Sequence, residues 1–217
     1  KNWSATNLTK PGQTNINAAT VAGDWVFVQT NNQPPSKVPM DLILISQANA
    51  SKISRLTSPM PLAPGQQSYI PANTPMDIQN NMLVGADGGA GKMVGVKFNP
   101  VTGNMSVVWR ANESTLGWFG FIGPAEKRVV VSTNIHPGTT MSDLKNSPPP
   151  NYTEQIQWRD AATGKLLATS DYHVGVTAAA QPTPGYGGLM YDLAFDGHII
   201  AMQVLPKANT TSTTGSK

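Results

Sequence analysis

The chain contains no cysteine, and only 12% of its 217 residues are charged. The absence of cysteine excludes disulfides, thiol catalysis and cysteine-based metal sites. Aromatic residues make up only 7% of the chain. No apolar run reaches the 18 or so residues that a membrane-spanning helix needs, and no helical periodicity persists over about ten residues. We therefore expect no membrane-spanning helix and very little helix of any kind.

Positive charge is present but is not concentrated. The net charge is +3, and the 15 basic residues are scattered along the chain. Surfaces that bind nucleic acid or acidic membranes gather Lys and Arg on one face. The scattered pattern therefore argues against both kinds of partner.

Asparagine, serine and threonine are abundant, and seven Asn-x-Ser/Thr sequons occur where composition alone predicts about three. The sequon asparagines are Asn2, Asn7, Asn49, Asn104, Asn112, Asn151 and Asn209. The excess favours a glycosylated surface, so we expect a secreted or otherwise extracytoplasmic protein in its processed form. The alternative is that a chain rich in Asn and Thr forms sequons by chance.

The chain repeats one pattern, which is an apolar strand, a short polar turn and a second strand. The pattern runs from Lys92 to Asn112, from Glu154 to Asp171 and, in degraded form, from Pro39 to Ser58. Units of this kind stack because no single unit can bury its own apolar surface. The sequence therefore predicts a repeat protein built from hairpins.

A further apolar strand precedes each hairpin and occurs once more near the end of the chain. Its central residues are Phe27, Leu83, Val130 and Met190, which are 56, 47 and 60 residues apart. These steps are close to the period of four-stranded propeller blades that carry loop insertions. The prediction is an all-β fold of about four antiparallel, four-stranded blades.

Two hairpin corners share the same turn chemistry. The segments Asn99–Asn104 and Asp160–Lys165 each open with an Asx residue and carry glycine near their end. An Asx side chain hydrogen-bonds to nearby backbone, and glycine readily adopts the left-handed conformation. We expect Asn99 and Asp160 to hold tight turns.

Three segments carry a resemblance to a known family: "DAATGKLL" from Asp160, "AAQPTPGYGGLMY" from Ala179 and "FDGHIIAM" from Phe195. They resemble the repeats of pyrroloquinoline-quinone-type (PQQ-like) β-propellers, best over residues 80–205 and more weakly over residues 16–58. The resemblance implies blades at about 16–58, 76–111, 115–170 and 175–206, between an N-terminal extension (1–15) and a Ser/Thr-rich tail (207–217). Seven- or eight-bladed members need roughly twice this length. We expect a partial ring that a protein partner or self-assembly completes.

The resemblance also implies where a cofactor would lie. Asn134, in "VVVSTNIHPG", is similar to the calcium-ligating asparagine of quinoprotein dehydrogenases, and an amide oxygen suits Ca²⁺. Trp118 is a candidate for stacking on PQQ. However, Thr133 replaces the family's glycine, and the segment that supplies the catalytic base is missing. We predict no catalytic residue and no cofactor, with a PQQ- and calcium-dependent dehydrogenase subunit as the alternative.

Three other patterns have structural interpretations. The glycine-rich segment from Gly85 to Lys92 lacks the spacing and the Ser/Thr of a phosphate-binding loop, so we interpret it as a hairpin loop. Trp109 and Trp158 resemble the tryptophans that dock between neighbouring blades. The histidines, His136, His173 and His198, are far apart in sequence, so a metal site would have to be assembled from distant segments.

The intact repeats and the broken catalytic motifs favour a non-catalytic, extracytoplasmic propeller that serves as an interaction or assembly scaffold. A quinoprotein dehydrogenase subunit is the first alternative. A carbohydrate- or peptide-binding propeller is the second, with Trp3, Tyr69 and Tyr152 as candidate contact residues.

Overall fold

The computed structural model describes residues 4–32, 34–70, 73–115, 117, 119–139, 152–175, 182–194 and 196–204. Its fold is all-β, as predicted, with four antiparallel sheets in chain order. Helix within these ranges is limited to two 3₁₀ turns, Ala125–Lys127 and Tyr186–Gly188. None of the described helices has the length and apolarity to cross a bilayer. Trp118, the sequons at Asn2, Asn151 and Asn209, and the tail at 207–217 lie outside the described residues.

Each sheet is built from strands that are consecutive in the chain. The first contains β1 (Thr20–Ala22), β2 (Trp25–Gln29), β3 (Asp41–Ser46) and β4 (Ile53–Thr57). The second contains β5 (Met76–Asp77), β6 (Met82–Asp87), β7 (Lys92–Phe98) and β8 (Met105–Asn112). The third contains β9 (Phe119–Ile122), β10 (Val129–Ile135), β11 (Thr153–Asp160) and β12 (Leu166–Thr169), and β13 (His173–Val174) also pairs with β11. In the described part of the chain the fourth contains β14 (Thr183–Pro184), β15 (Leu189–Leu193) and β16 (Ile199–Gln203).

The sheets pack face to face in chain order because the middle sheets are apolar on both faces. Neighbouring residues of a strand point to opposite faces, so on β6 Leu83 packs with the first sheet and Val84 with the third. The three interfaces bury, in order, Phe27, Leu44, Val94 and Val96; Ala86, Met93, Phe119 and Val130; and Val131, Ile156 and Met190. A sheet with two apolar faces is stable only between two other layers. The sheets therefore stack because successive apolar residues of one strand point to opposite faces of its sheet.

Both predicted hairpin corners are confirmed. Asn99 Oδ1 accepts two backbone hydrogen bonds of 2.9 Å, and Asp160 Oδ1 accepts one of 2.8 Å from Thr163. The glycines near the end of each corner, Gly103 and Gly164, have φ angles of 80° and 72°. The Asx side chains and the left-handed glycines together fix these two turns.

A tryptophan of the preceding sheet covers each corner. Trp109, on β8, donates a 2.8 Å hydrogen bond from Nε1 to the carbonyl oxygen of Ala161, and a Cβ atom at Gly164 would lie 2.6 Å from its ring. Trp25, on β2, donates a 2.8 Å hydrogen bond to a carbonyl of the other corner. Trp158 is buried between the third and fourth sheets. The packing role predicted for Trp109 and Trp158 is confirmed, and Trp25 joins them.

The outer face of the first sheet is covered by the chain's own N-terminal segment. Val28 and Ile43 are buried there, and Leu8 packs on them. Arg55 Nη2 donates a 2.7 Å hydrogen bond to the carbonyl oxygen of Leu8 and so anchors the segment. Residues of the expected extension (1–15) therefore close this end of the stack.

Candidate functional site

Asn134, the predicted calcium ligand, lies on β10 and contributes to the fold. Its Oδ1 accepts a 2.9 Å hydrogen bond from the backbone N–H of Ser114. Next to it, the Oγ1 atoms of Thr133 and Thr115 are 2.9 Å apart. These contacts tie the segment after the second sheet to the third sheet. Trp118 lies outside the described residues, so a PQQ and calcium site stays a prediction.

The four sequon asparagines that the structure describes are all exposed: Asn7, Asn49, Asn104 and Asn112. Asn49 and Asn104 lie in turns between strands, and Asn112 ends β8. Exposure is necessary for the attachment of an N-linked glycan. Glycosylation at these positions stays a prediction.

The glycine-rich segment is the hairpin loop between β6 and β7, as interpreted from the sequence. Its backbone N–H groups bind a carboxylate of the chain itself, because Asp87 Oδ1 accepts hydrogen bonds from Gly89 at 3.1 Å and Ala90 at 3.0 Å. Ser68 Oγ donates to Asp87 Oδ2 at 2.5 Å. Burial raises the pKa of Asp87, although these hydrogen bonds oppose the shift. The N–H groups that would bind a phosphate are therefore already used.

A buried ion pair crosses the interface between the second and third sheets. Glu113, just after β8, accepts a 2.6 Å hydrogen bond at Oε2 from Arg159 Nε on β11. Ser132, on β10, donates to the other carboxylate oxygen, and Arg159 Nη2 donates to Gln157 Oε1 at 2.7 Å. One carboxylate therefore faces one guanidinium, and their charges cancel.

The corresponding place between the third and fourth sheets holds two carboxylates and an imidazole. Asp192 is the fourth residue of β15, as Ser132 is of β10. Glu154 and His173 are paired directly across β11 and β13. The potential ligand atoms of Glu154, His173 and Asp192 all lie within 4.8 Å of one another. We call this group the Glu154–His173–Asp192 cluster.

The cluster is buried and its imidazole is held at both nitrogens. Glu154 and Asp192 are 1% and 2% exposed. His173 Nε2 lies 3.3 Å from Asp192 Oδ2, and its Nδ1 lies 3.4 Å from the backbone oxygen of Asp171. Burial disfavours the protonated ring, but hydrogen bonding to Asp192 and Asp171 and the nearby carboxylate charges outweigh that effect and raise the pKa of His173.

Tyr152 borders the cluster. Burial raises the pKa of its phenol, and the charges of Glu154 and Asp192 raise it further. Its ring packs on Gly175, where a Cβ atom would lie 2.2 Å from Cε2. The phenol therefore stays protonated at neutral pH and forms an uncharged wall beside the cluster.

Sequence reasoning identified His173 only as one of three distant histidines, and it missed Glu154 and Asp192. The structure joins His173 to these two carboxylates, whereas His198 Nδ1 lies 2.9 Å from Asp196 at the surface. No spacing pattern links strands from two different sheets. The available signal was an acidic residue at an inward-facing position of an apolar strand, since charges are rarely buried without a partner.

The outer face of the fourth sheet carries exposed apolar side chains. Tyr191, Leu193 and Ile199 are 37%, 54% and 73% exposed. Leu193 pairs across the strands with Ile199, and Tyr191 pairs with Ala201. We call these four residues the outer patch. It contrasts with the outer face of the first sheet, which the N-terminal segment covers.

Comparison with known proteins supports the fold alone. No family model matches the chain, and no curated protein sequence matches it. The crystal structure of the computationally designed Ika4 protein is similar with a TM-score of 0.52 and 16% identity, over 93% of this chain and 96% of that one. A putative 6-phosphogluconolactonase from Bacteroides fragilis NCTC 9343 matches with a TM-score of 0.36 and 12% identity, over 85% of this chain and 68% of that one. These identities are too low to transfer a function.

Proposed function

We propose that the chain is part of a PQQ-like β-propeller that works outside the cytoplasm as a non-catalytic assembly scaffold, and that a second copy binds to its outer patch. The observation that carries this proposal is the outer patch itself. Exposed, contiguous apolar surface typically marks an interaction site. The four exposed sequon asparagines support an extracytoplasmic location.

Like the buried strands, β15 has apolar residues that point to both faces of its sheet. On β6, Leu83 and Val84 are both fully buried because each faces another sheet. On β15, Met190 faces the third sheet, but Tyr191 and Leu193 face away from it and are exposed. Removing this apolar surface from water favours association by roughly 25 cal/mol per Å². Another sheet of the same kind is the natural cover.

The two ends of the stack indicate how the copies are arranged. A head-to-tail arrangement would place the outer patch of one copy on the first sheet of the next, where Leu8 already covers Val28 and Ile43. The outer patch of a second copy is exposed and needs no displacement. We therefore infer a two-fold dimer in which the two fourth sheets face each other.

Two of the polar residues that the sequence suggested for ligand binding have structural partners instead. Asn134 holds the backbone of Ser114, and Asp87 holds the loop between β6 and β7. Tyr69 and Tyr152, the described candidates for a carbohydrate-binding surface, are half-buried. These observations support a scaffold over an enzyme or a lectin-like module.

Light scattering during size-exclusion chromatography tests the assembly. We expect a mass of twice the 23.0 kDa of one chain, apart from any attached carbohydrate. Leu193→Lys or Ile199→Lys places a charge in the outer patch and should yield monomers. Val101→Lys is the matched control, because Val101 is 75% exposed in a distant turn. A wild-type chain that stays monomeric at high concentration rejects the proposed dimer.

Cross-linking tests the two-fold arrangement. The chain has no cysteine, so single-cysteine variants report on one position each. In a two-fold dimer the same residue of both copies meets near the axis, and Leu193→Cys or Ile199→Cys should form a disulfide-linked dimer on oxidation. Val101→Cys should not. A dimer that forms without either cross-link would be a head-to-tail assembly and would refute the two-fold model.

A further inference from the structure

We infer that the Glu154–His173–Asp192 cluster is a binding site for one divalent first-row transition metal ion, with Zn²⁺ as the reference ion. The site lies within a single chain, between its third and fourth sheets. It is independent of the scaffold proposal and of the outer patch.

The spacing of the ligand atoms suits such an ion. Ligands placed tetrahedrally at about 2.0–2.1 Å from Zn²⁺ lie about 3.3 Å from one another. His173 Nε2 and Asp192 Oδ2 are 3.3 Å apart. The three ligand atoms lie within 4.8 Å of one another, and the flexible side chain of Glu154 can close the remaining distance by rotation about its torsions. Little rearrangement is needed to form three bonds.

The outer contacts of the cluster also match those of a metal site. A metal-bound histidine usually donates its other ring N–H to a backbone carbonyl or carboxylate, which fixes the tautomer. Here Nδ1 of His173 lies 3.4 Å from the backbone oxygen of Asp171, which orients Nε2 toward the cluster. Asp192 Oδ1 accepts a 3.0 Å hydrogen bond from the N–H of Leu193, so Oδ2 is directed at the imidazole.

Charge distinguishes this cluster from the buried ion pair of Glu113 and Arg159 between the second and third sheets. The carboxylate of Glu113 is neutralised by the guanidinium of Arg159. The Glu154–His173–Asp192 cluster contains two carboxylates, each of which carries a negative charge when it is ionised. A divalent cation bound to neutral His173 offsets both. Buried carboxylates are stable when they are paired or coordinate a metal.

The ligand chemistry selects the class of ion. An imidazole nitrogen suits zinc and its first-row neighbours, whereas calcium and magnesium prefer oxygen ligands alone. Three protein ligands leave at least one position for water. The ligands come from β11, β13 and β15, so a bound ion would fasten the fourth sheet to the third. Binding should therefore stabilise the folded chain.

Calorimetric titration of the EDTA-treated, full-length chain with ZnCl₂ tests the inference. We expect one Zn²⁺ per chain and a rise in the melting temperature on binding. Ca²⁺ should bind at least about 10-fold more weakly, because it lacks affinity for imidazole. Co²⁺ in the same site should show visible absorption that is characteristic of mixed nitrogen and oxygen ligands.

Single substitutions assign the site. Asp192→Asn and His173→Gln should each weaken Zn²⁺ binding at least about 10-fold, since even the loss of an outer contact has that effect. His198→Gln removes an imidazole that is 79% exposed and should leave affinity and stoichiometry unchanged. Circular dichroism checks that each variant is folded, and His173→Gln suffices if Asp192→Asn does not fold.

Three results would overturn the inference. The first is the absence of Zn²⁺ binding by the wild type, which would make the cluster an ion pair between protonated His173 and its carboxylates. The second is binding that persists unchanged in folded His173→Gln. The third is a preference for Ca²⁺ over Zn²⁺.

Discussion

At the scale of single residues, two glycines with similar backbone conformations have different surroundings. Gly164 has a φ of 72°, and a Cβ atom there would lie 2.6 Å from the ring of Trp109. Gly91 has a φ of 63°, and no atom lies within 4 Å of the corresponding Cβ position. A left-handed backbone costs a residue with a side chain roughly 1–2 kcal/mol. At Gly164 a steric conflict adds to that cost.

We predict that Gly164→Ala lowers the free energy of unfolding more than Gly91→Ala does. The alanine at position 91 should cost about 1–2 kcal/mol through backbone strain alone. At position 164 displacement of the indole should add about 1–3 kcal/mol. Urea denaturation of the two variants measures the difference. Equal losses would show that a methyl group at position 164 does not disturb the packing of Trp109.

At the scale of strands and sheets, polar contacts fasten neighbouring sheets at the ends of strands. Asp77, on β5, accepts hydrogen bonds from Asn80 Nδ2 at 2.8 Å and from Arg128 Nε, just before β10, at 2.9 Å. Burial alone would raise the pKa of Asp77, but the hydrogen bonds from Asn80 and Arg128 outweigh it and hold the pKa below 3.8. The contact therefore requires the ionised carboxylate.

This contact predicts a loss of stability in acid. A carboxyl group whose pKa is lowered by folding adds stability above its unfolded value of 3.8, and that stability is lost as the pH falls through the folded pKa. The free energy of unfolding of the wild type should therefore fall more steeply below about pH 4 than that of Asp77→Asn. Denaturation curves between pH 5 and pH 2.5 test this, and parallel profiles would contradict it.

The buried ion pair between Glu113 and Arg159 gives a second prediction at this scale. Glu113→Gln should lower the free energy of unfolding by about 3–5 kcal/mol, because it leaves the guanidinium of Arg159 buried without its counter-charge. The double variant Glu113→Gln, Arg159→Met should recover part of that loss. Chemical denaturation of both single variants and the double variant measures the coupling, and strictly additive losses would argue against a direct pair.

At the scale of the whole molecule, the N-terminal segment decides which end of the stack can associate. Removal of residues 1–10 should uncover Val28 and Ile43, so that both end sheets present apolar faces. We predict species larger than a dimer for the truncated chain. Light scattering measures this, with Thr6→Ala, at an exposed position of the same segment, as the control. A truncated, folded chain with the same mass distribution as the full-length chain would contradict the prediction.

The all-β fold and its hairpins were predictable because the signals are local. The Asx residues and glycines at Asn99–Gly103 and Asp160–Gly164 specify their turns within a few residues. The apolar strands around Phe27, Leu83, Val130 and Met190 lie where their spacing predicted. The roles of Trp109 and Trp158 were also predictable, since large aromatics in repeat units dominate the packing between units.

The candidate sites were less predictable, because they depend on residues from separate sheets. Asn134 resembled a calcium ligand by its local motif, yet its amide oxygen is used by Ser114. His173 looked isolated along the chain, yet β13 pairs with β11 and brings it beside Glu154. The outer patch belongs to strands with apolar residues on both faces, like the buried strands, and it is exposed because no sheet among the described residues packs on it.

The amino-acid sequence by itself determined the strands, the turns and the two-faced apolar character of the sheets, because these depend on short-range geometry and on the alternation of side chains along a strand. Only the tertiary structure decided which sheets have both faces covered. It also decided that two carboxylates and an imidazole meet between β11, β13 and β15. The physical reason is that packing free energy depends on contacts between residues far apart in the chain, and no local pattern encodes those distances.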